Sequence, residues 1–553
     1  MQTVMRCHPK PTKFVSRRDF RRTGKAVVGA AAAATSFAVA AEPSEDAEFS
    51  LNCWTGDISS MTRVLFFFVL IITIPSGDVA LGDWPQFRGA NSAGVANGAS
   101  VPTEFGPGKN ELWRTPLEVG HSSPCVVGKV IFLTTYVKER QELAVVCIDR
   151  DNGKVRWRRV VPADAIEKGH PAFNPASSSP TSDGERVVAY FGSSGLICFD
   201  MAGEKLWERR MPVTKSFGGN ATSPMIAGDR VILYRGNYVD HFLLAVDKET
   251  GKELWKVPQH EPISGEMACT ACPIIAGDKL IVHSARSVQA YDLKSGKQIW
   301  VAKCATTATS SPLVVGNEVL VAAWNKLGEP ALRPPFPKFA QLLAEHDKDG
   351  DKTISRDELP TLWIFHRPDG IEAAMNGAKL RFEYADRNKD GEVTSEEWSK
   401  SISNTEKWRA GYETHGMLAI PLNSEGIVDP DTVRTLEELS IPEVPSPLCD
   451  GEYVYFVKNG GVLTCVELKT GERIYRKRTT GRGTHYASPL IAGDKILTIA
   501  GDGTISVIQR GGDFKILATN DMQDSVYATP AIVDGTIYVR THSALYAFAE
   551  AKE

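Results

Sequence analysis

A chain of 553 residues with a formal net charge of -4 is long enough for several domains or one large repeat array, and it lacks the basic field that draws nucleic acid to a protein surface. Its composition, 42% hydrophobic and 8% aromatic, is that of a globular protein able to bury a substantial core. Nucleic acid is therefore not an expected partner.

Residues 1–82 read as an export signal region. Arg17-Arg18 precedes the Ala/Gly-rich stretch "TGKAVVGAAAAATSFAVAA", so residues 1–41 have the form of a twin-arginine signal. Residues 61–82 form a second, Sec-like signal, with Met61 and Arg63 before "VLFFFVLIITI" and small residues at Ala80 and Gly82. That apolar run falls short of the ~20 residues a membrane-spanning helix needs. A cleaved signal is expected, leaving no transmembrane anchor in the mature chain and a periplasmic or extracellular product. With Met61 as the true start, residues 1–60 are an upstream extension.

From Asp83 onward the chain repeats itself. A Ser/Thr-Pro or similar dipeptide, an apolar run, a Gly/Asp turn and a second apolar run recur at Pro124, Pro180, Pro224, Pro273, Pro312, Pro447, Pro489 and Pro530, which is hairpin chemistry. A third strand follows, centred on a small residue: Cys147, Cys198, Ala245, Ala290, Ala419, Cys465, Ser506 and Ala547. Crowding near a hub is the expected reason for small side chains there. A turn such as "ETGKELW" then leads to a fourth strand, placing Trp157, Trp207, Trp255, Trp300 and Tyr475 in one column. Four strands per roughly 40–50 residues is a propeller blade. The last unit has no room for a fourth strand, and "ELWRTPL" near Trp113 is a fourth strand with no first three, so the two ends should share a blade. The expected fold is all-β: an eight-bladed β-propeller of four-stranded blades.

"DWPQFRG" at Asp83–Gly89, the Ser-Pro phrases and the T-G-K-x-[LI]-W turns together make the chain resemble the PQQ-like propeller repeat proteins. That family includes quinoprotein alcohol dehydrogenases and BamB-type assembly proteins. The resemblance speaks to fold more than activity, because one fold hosts many functions. For a quinoprotein it implies PQQ held between an adjacent Cys-Cys disulfide and a Trp, an Asp base and a Glu/Asn/Asp calcium cluster. No Cys-Cys dipeptide exists in this chain; the nearest feature is Cys269-Thr270-Ala271-Cys272. PQQ is therefore not an expected cofactor. Cys269, Cys272 and Cys304 fall near one face and could pair as a disulfide. His121 and His485 precede Ser-Pro phrases and read as rim residues.

Blade five is interrupted. Its first two strands lie in 83–325, its third in 415–553, and residues 326–414 are an insertion of different chemistry. Calcium takes six to eight hard oxygens, and a twelve-residue loop supplies them from positions 1, 3, 5, 7, 9 and 12, with glycine at 6 for the sharp turn. "DRNKDGEVTSEE" offers Asp386, Asn388, Asp390, the Glu392 carbonyl, Thr394 and Glu397, with Gly391 at the turn. "DKDGDKTISRDE" offers Asp347, Asp349, Asp351, the Thr353 carbonyl, Ser355 and Glu358, but Lys352 stands at the glycine position. Flanking helices are expected on both loops: Phe339, Leu342 and Leu343 before the first and Leu362 and Trp363 after it, then Ile371, Met375, Ala378 and Phe382 before the second and Trp398 after it. The insertion thus reads as an α-helical EF-hand pair holding Ca2+, overhanging the face that carries the Ser-Pro phrases. The expected protein is a monomeric binding or scaffolding module for a protein or glycan partner on that face. The alternatives are a PQQ-dependent oxidoreductase and a BamB-type envelope assembly factor.

Overall fold

Each Ser-Pro phrase opens a short first strand, and the strands that follow pair in simple antiparallel order, first to fourth. Blade one runs Cys125–Val127, Val130–Val137, Glu142–Asp149 and Val155–Val161. Seven more blades repeat the four-strand plan, five as four-stranded sheets and two with one short extra strand (Val95–Ala96 and Gly426–Ile427) at an edge, which makes an eight-bladed β-propeller. The structure, a computed structural model, describes residues 82–96, 98, 100–261, 270–304, 306–330, 333–366 and 377–550. Residues 1–81 of the export signal region, which include Cys7 and Cys53, and Cys269 fall outside the described residues. Among the described residues, no helix is long and apolar enough to cross a membrane.

The ends of the propeller meet in blade eight. Ala531–Val533, Thr536–Arg540 and Ala544–Phe548 supply its first three strands, and Glu111–Pro116 adds the fourth, pairing Trp113 with Ala547. Blade eight is tied to blade one in turn. Arg540 donates to the Ser122 hydroxyl at 2.6 Å and the Thr134 carbonyl at 2.8 Å, and Arg150 reaches Tyr538 at 2.9 Å. Closure leaves no open end to the array.

The small-residue column has a different cause from the one expected. It sits one strand in from the blade's outer edge, and each small residue faces the aromatic of the fourth strand: Cys147 opposes Trp157, Cys198 Trp207, Ala245 Trp255, Ala290 Trp300 and Cys465 Tyr475. Room is left for an indole, and the indole then engages the next blade. Trp113, Trp157 and Trp207 donate Nε1–H to the carbonyls of Arg150, Met201 and Lys248 at 3.0, 3.0 and 2.9 Å. Each also lies against the turn glycine of that blade. A Cβ on Gly153 would come within 2.6 Å of Trp113, and one on Gly203 within 2.8 Å of Trp157. These glycines also hold φ of 72° and 85°, a region that β-carbons disfavour. The Gly of "TGK" and the Trp of the preceding blade are therefore two halves of one joint. Blade five has Arg434 opposite Ala419 and still reaches the equivalent carbonyl, Leu468 O, at 3.2 Å.

Blade five's second strand ends at Ala323 and its third begins at Gly416. Between them, among the described residues, lie three helices, α1 (Phe339–His346), α2 (Phe382–Ala385) and α3 (Ser395–Ala410), and two small two-stranded sheets. They share a core of Leu342, Ile354, Leu380, Phe382, Val393 and Trp398. The expected helix after the first loop is absent: Leu362 precedes a strand, Trp363–His366. Pro360 removes a backbone donor and clashes with a preceding helical turn, which stops a helix there. Ala378 likewise lies in a strand, Gly377–Lys379, so the approach to the second loop is the single turn α2. Ile371 and Met375 fall outside the described residues.

Candidate functional site

The residue before each repeat proline turns out to be the inner lining of the channel. Ser123, Ser179, Ser223, Cys272, Ser311, Ser446, Ser488 and Thr529 all face one cavity of about 300 Å³. They are also chained together. Seven of the eight backbone N–H groups donate to the side chain of the next blade's equivalent: Ser123 to Ser179, Ser179 to Ser223, Cys272 to Ser311 and Ser488 to Thr529 at 2.9 Å, and Ser311 to Ser446 and Ser446 to Ser488 at 3.0 Å. Ser223 N–H makes the seventh link by donating to Cys272 Sγ at 3.3 Å. A hydroxyl, or a thiol of similar reach, is thus needed at this position, and proline next to it starts the innermost strand.

Cys272 and Cys304 are both free, buried thiols, so neither belongs to a disulfide. The expectation overlooked the ring: Cys272 is held as an acceptor between Ser223 and Ser311. Burial raises the Cys304 thiol to about 12. The same cause lifts Cys147, Cys198 and Cys465, which marks them as packing groups rather than nucleophiles.

Aromatic side chains wall the cavity, and sequence patterns did not single most of them out. Tyr486 stacks on Tyr527 with centroids 5.8 Å apart, and His121 lies 4.8 Å from Tyr527. Phe87, Phe173, Phe217 and Trp324 complete the wall. They sit in links between blades, where no periodicity marks them. Burial, with Arg540 and His542 nearby, lowers His121 to about 4, so its ring is neutral at pH 7. His170 also lines the cavity, and His485 is buried behind it with its backbone N–H on Asn459. Among the described residues, neither His121 nor His170 is hydrogen-bonded to a hydroxyl, thiol or carboxyl group, the arrangement that nucleophilic catalysis requires.

Blade two also buries a carboxyl, Glu167, in the link before its first strand. Glu167 accepts from the Thr214 hydroxyl through Oε2, with the backbone N–H groups of Asn220 and Gly192 nearby. Burial pushes it from 4.5 up to about 8. The native state therefore keeps a proton that the unfolded chain releases, so stability is lost as pH rises from about 4.5 towards about 8. Glu167→Gln should gain on the parent by up to roughly 1.4 kcal/mol per pH unit across that window and match it below the window. Thermal midpoints of both proteins across the pH range check this, and parallel profiles would contradict it.

The two acidic loops of the insertion are built alike. Position 1 holds the backbone N–H groups of positions 4 and 6: Asp347 accepts from Gly350 and Lys352 at 2.7 and 3.1 Å, Asp386 from Lys389 and Gly391 at 2.7 and 3.2 Å. Asp351 and Asp390 each accept from the N–H two residues on. The position-12 carboxylates close the loops. Glu358 accepts from Lys348 N and Ser355 N at 2.8 and 2.9 Å, Glu397 from Arg387 N and Thr394 N at 3.1 Å each. These backbone donors hold Glu358 down to about 2 and Glu397 below its ordinary value, so both are ionised at neutral pH. Thr353, Ser355, Asn388 and Glu392 occupy the remaining positions, and Ser355 pairs with Glu392 where the loops meet in a two-stranded ladder, next to Ile354 opposite Val393. Carboxylate oxygens of Asp347, Asp349 and Asp351 converge within 4.8 Å of one another. Lys352 adopts the left-handed φ of 70° that its glycine counterpart Gly391 also adopts, at 96°. That conformation costs a non-glycine residue on the order of 1 kcal/mol.

The insertion's root borders the cavity. Trp324, one residue past blade five's second strand, lines it, as does Lys458, which lies 3.6 Å from Glu329 in the root. Asn325 pins the two ends of the insertion by donating to the carbonyls of Tyr412 and Thr414 at 3.1 and 2.9 Å. Helix α3 connects the two regions, starting at the second acidic loop and ending two residues before Tyr412.

Eight four-stranded blades, a hydroxyl ring at the strand entries and tryptophan joints between blades define a PQQ-like β-propeller. The family model described as outer membrane protein assembly factor BamB matches residues 99–237, 145–333 and 419–552, well over half of the chain, and the chain belongs to that family. A lanthanide-dependent methanol dehydrogenase of Methylacidiphilum fumariolicum (strain SolV) is 34% identical over 71 residues, 12% of this chain and 12% of that protein. The match thus spans about an eighth of the relative's length. Among solved structures, BamB from Moraxella catarrhalis is 12% identical, covering 80% of this chain and 99% of that one with a TM-score of 0.46. Quinohemoprotein alcohol dehydrogenase from Comamonas testosteroni is 13% identical, covering 85% and 81% with a TM-score of 0.48.

Proposed function

We propose that this protein is an exported, calcium-loaded β-propeller that binds a protein or glycan partner at the cavity face and acts as a scaffold there. The observation that supports it most is the doubled loop: two twelve-residue acidic turns with one hydrogen-bonding scheme, converging Asp347, Asp349 and Asp351 oxygens in the first, and a carboxylate at position 12 held ionised in each. Such a donor set fits Ca2+. Exported compartments hold calcium high enough to keep sites of modest affinity loaded, so a structural or docking role is favoured over signalling. The Cys-Cys pair that the family resemblance implies for PQQ is missing, and Cys272 is the one described cysteine lining the cavity. A quinoprotein oxidoreductase remains the second reading because the cavity is aromatic-walled and of ligand size. A BamB-type assembly role is the third, supported by family membership.

Calorimetric titration of the purified mature protein, first with calcium and then with PQQ, tests the proposal. Two calcium ions per chain and no heat from PQQ are expected. Saturable micromolar PQQ binding would overturn the scaffold reading in favour of the oxidoreductase, and absence of calcium binding would remove its basis.

A further inference from the structure

The segment "DWPQFRG" does not lie on the surface but crosses the inside of the channel. Trp84 bridges to Val126 of blade one, Ser182 N of blade two donates to Pro85 O at 2.9 Å, and Arg88 Nη2 donates to Pro447 O of blade six at 2.5 Å. Phe87 lines the cavity, and Arg88, next in the chain, is buried against Pro447, the residue that follows Ser446 of the hydroxyl ring. The turn is tight. A Cβ on Gly89 would come within 2.7 Å of the Trp84 ring, and one on Gly94 within 2.9 Å of Arg88 Nη2.

Arg88 Nη2 is satisfied, donating also to Ala93 O at 3.1 Å, but the other donors here are not. Arg88 is 0% exposed, and its Nε and Nη1, together with Trp84 Nε1, have no partner among the described residues. The other two fully buried arginines differ. Arg235 lies 3.7 Å from Asp240, and Arg540 is surrounded by the oxygens of Ser122, Thr134 and Glu118. Arg88 has no carboxylate partner among the described residues. Burial lowers its guanidinium to about 9, which still leaves it charged at neutral pH, and an uncompensated buried charge is strongly unfavourable. In the hydroxyl ring, Ser446, whose neighbour Pro447 accepts from Arg88, and Ser488 each accept a backbone N–H, and among the described residues neither gives its own proton to a protein acceptor. Orphaned donors of one sign in one place call for a negatively charged acceptor.

We infer that the buried turn around Arg88 is an anion site: Arg88, with hydroxyls of the ring, holds a small anion no larger than a carboxylate group. Two sources share that chemistry, a free halide and the carboxylate of a larger molecule seated in the aromatic cavity.

Bromide and acetate are the probes. Thermal midpoints of the mature protein are measured against rising sodium bromide or sodium acetate, with ionic strength held by the sodium salt of a bulky sulfonate, and crystals grown in bromide are searched for anomalous scattering. The expected result is a saturable upward shift that Arg88→Gln abolishes, and a bromide peak against Arg88. Displacement of that bromide by acetate would support the site and assign the carboxylate as its natural occupant; bromide without acetate competition would support it and assign a halide. No saturable shift and no peak in the channel, or peaks confined to the outer surface, would overturn the inference. Should Arg88→Gln fail to fold, the wild-type diffraction experiment decides alone.

Discussion

Trp113→Ala is expected to destabilise the propeller by roughly 3–5 kcal/mol, the range for truncating a large buried aromatic. Total stabilities run about 5–15 kcal/mol, so the loss should be plain in thermal unfolding. Trp113 sits where two closures coincide. Its strand, Glu111–Pro116, is the outer strand of blade eight, and its indole is the joint to blade one through Arg150 O and Gly153. Removal of the ring leaves the Arg150 carbonyl without this donor and a gap over a glycine whose backbone was shaped to receive it. Deleting residues 111–117 outright should be worse, exposing Ala544–Phe548 as an unpaired apolar edge and promoting association. Trp408→Ala is the control: that indole is 42% exposed, and its truncation should change stability by under about 0.5 kcal/mol. Equal midpoints for the Trp113 and Trp408 variants would mean that the joint carries little of the stability.

How far the sequence went can be judged at particular residues. Blade number, the shared blade and the place of the insertion were all legible, because strand period, turn glycines and the Ser-Pro phrase recur in one chain and check one another. The meaning of the phrase was not legible. A serine before proline reads as turn chemistry, and only the ring of blades shows that its oxygen takes the previous blade's N–H. The small-residue column was read as hub crowding for the same reason: its partner, the indole, is a strand away in sequence and the glycine it reaches is a blade away. The acidic loops were legible because their side chains are local, spaced within twelve residues, whereas Phe87, Phe173, Tyr486, Tyr527 and Arg88 come from links with no period to expose them.

The loops allow a test that separates ion binding from folding. Glu397 has two roles in the structure. It closes the second acidic loop, and it stands at the third position of α3, where it accepts from Thr394 N while Thr394 Oγ1 accepts from Glu397 N at 3.3 Å. That reciprocal pair is a capping box, and either Glu or Gln fills its third position. Glu397→Gln therefore keeps the helix start but removes the charge and one of two hard oxygens that calcium would take from this residue. Calcium affinity at the second site should fall on the order of 100-fold, because affinity in such loops follows ligand charge and number, while the calcium-free thermal midpoint should stay nearly unchanged. Glu397→Ala should lose both, lowering affinity and also costing the calcium-free protein about 1 kcal/mol through the broken cap. Glu358→Gln gives the matching result for the first loop, where no helix follows and no cap confuses the reading. Undiminished two-site binding in the Glu358→Gln, Glu397→Gln double variant would show that the loops are acidic turns held by their own backbone and that calcium, if bound, sits elsewhere.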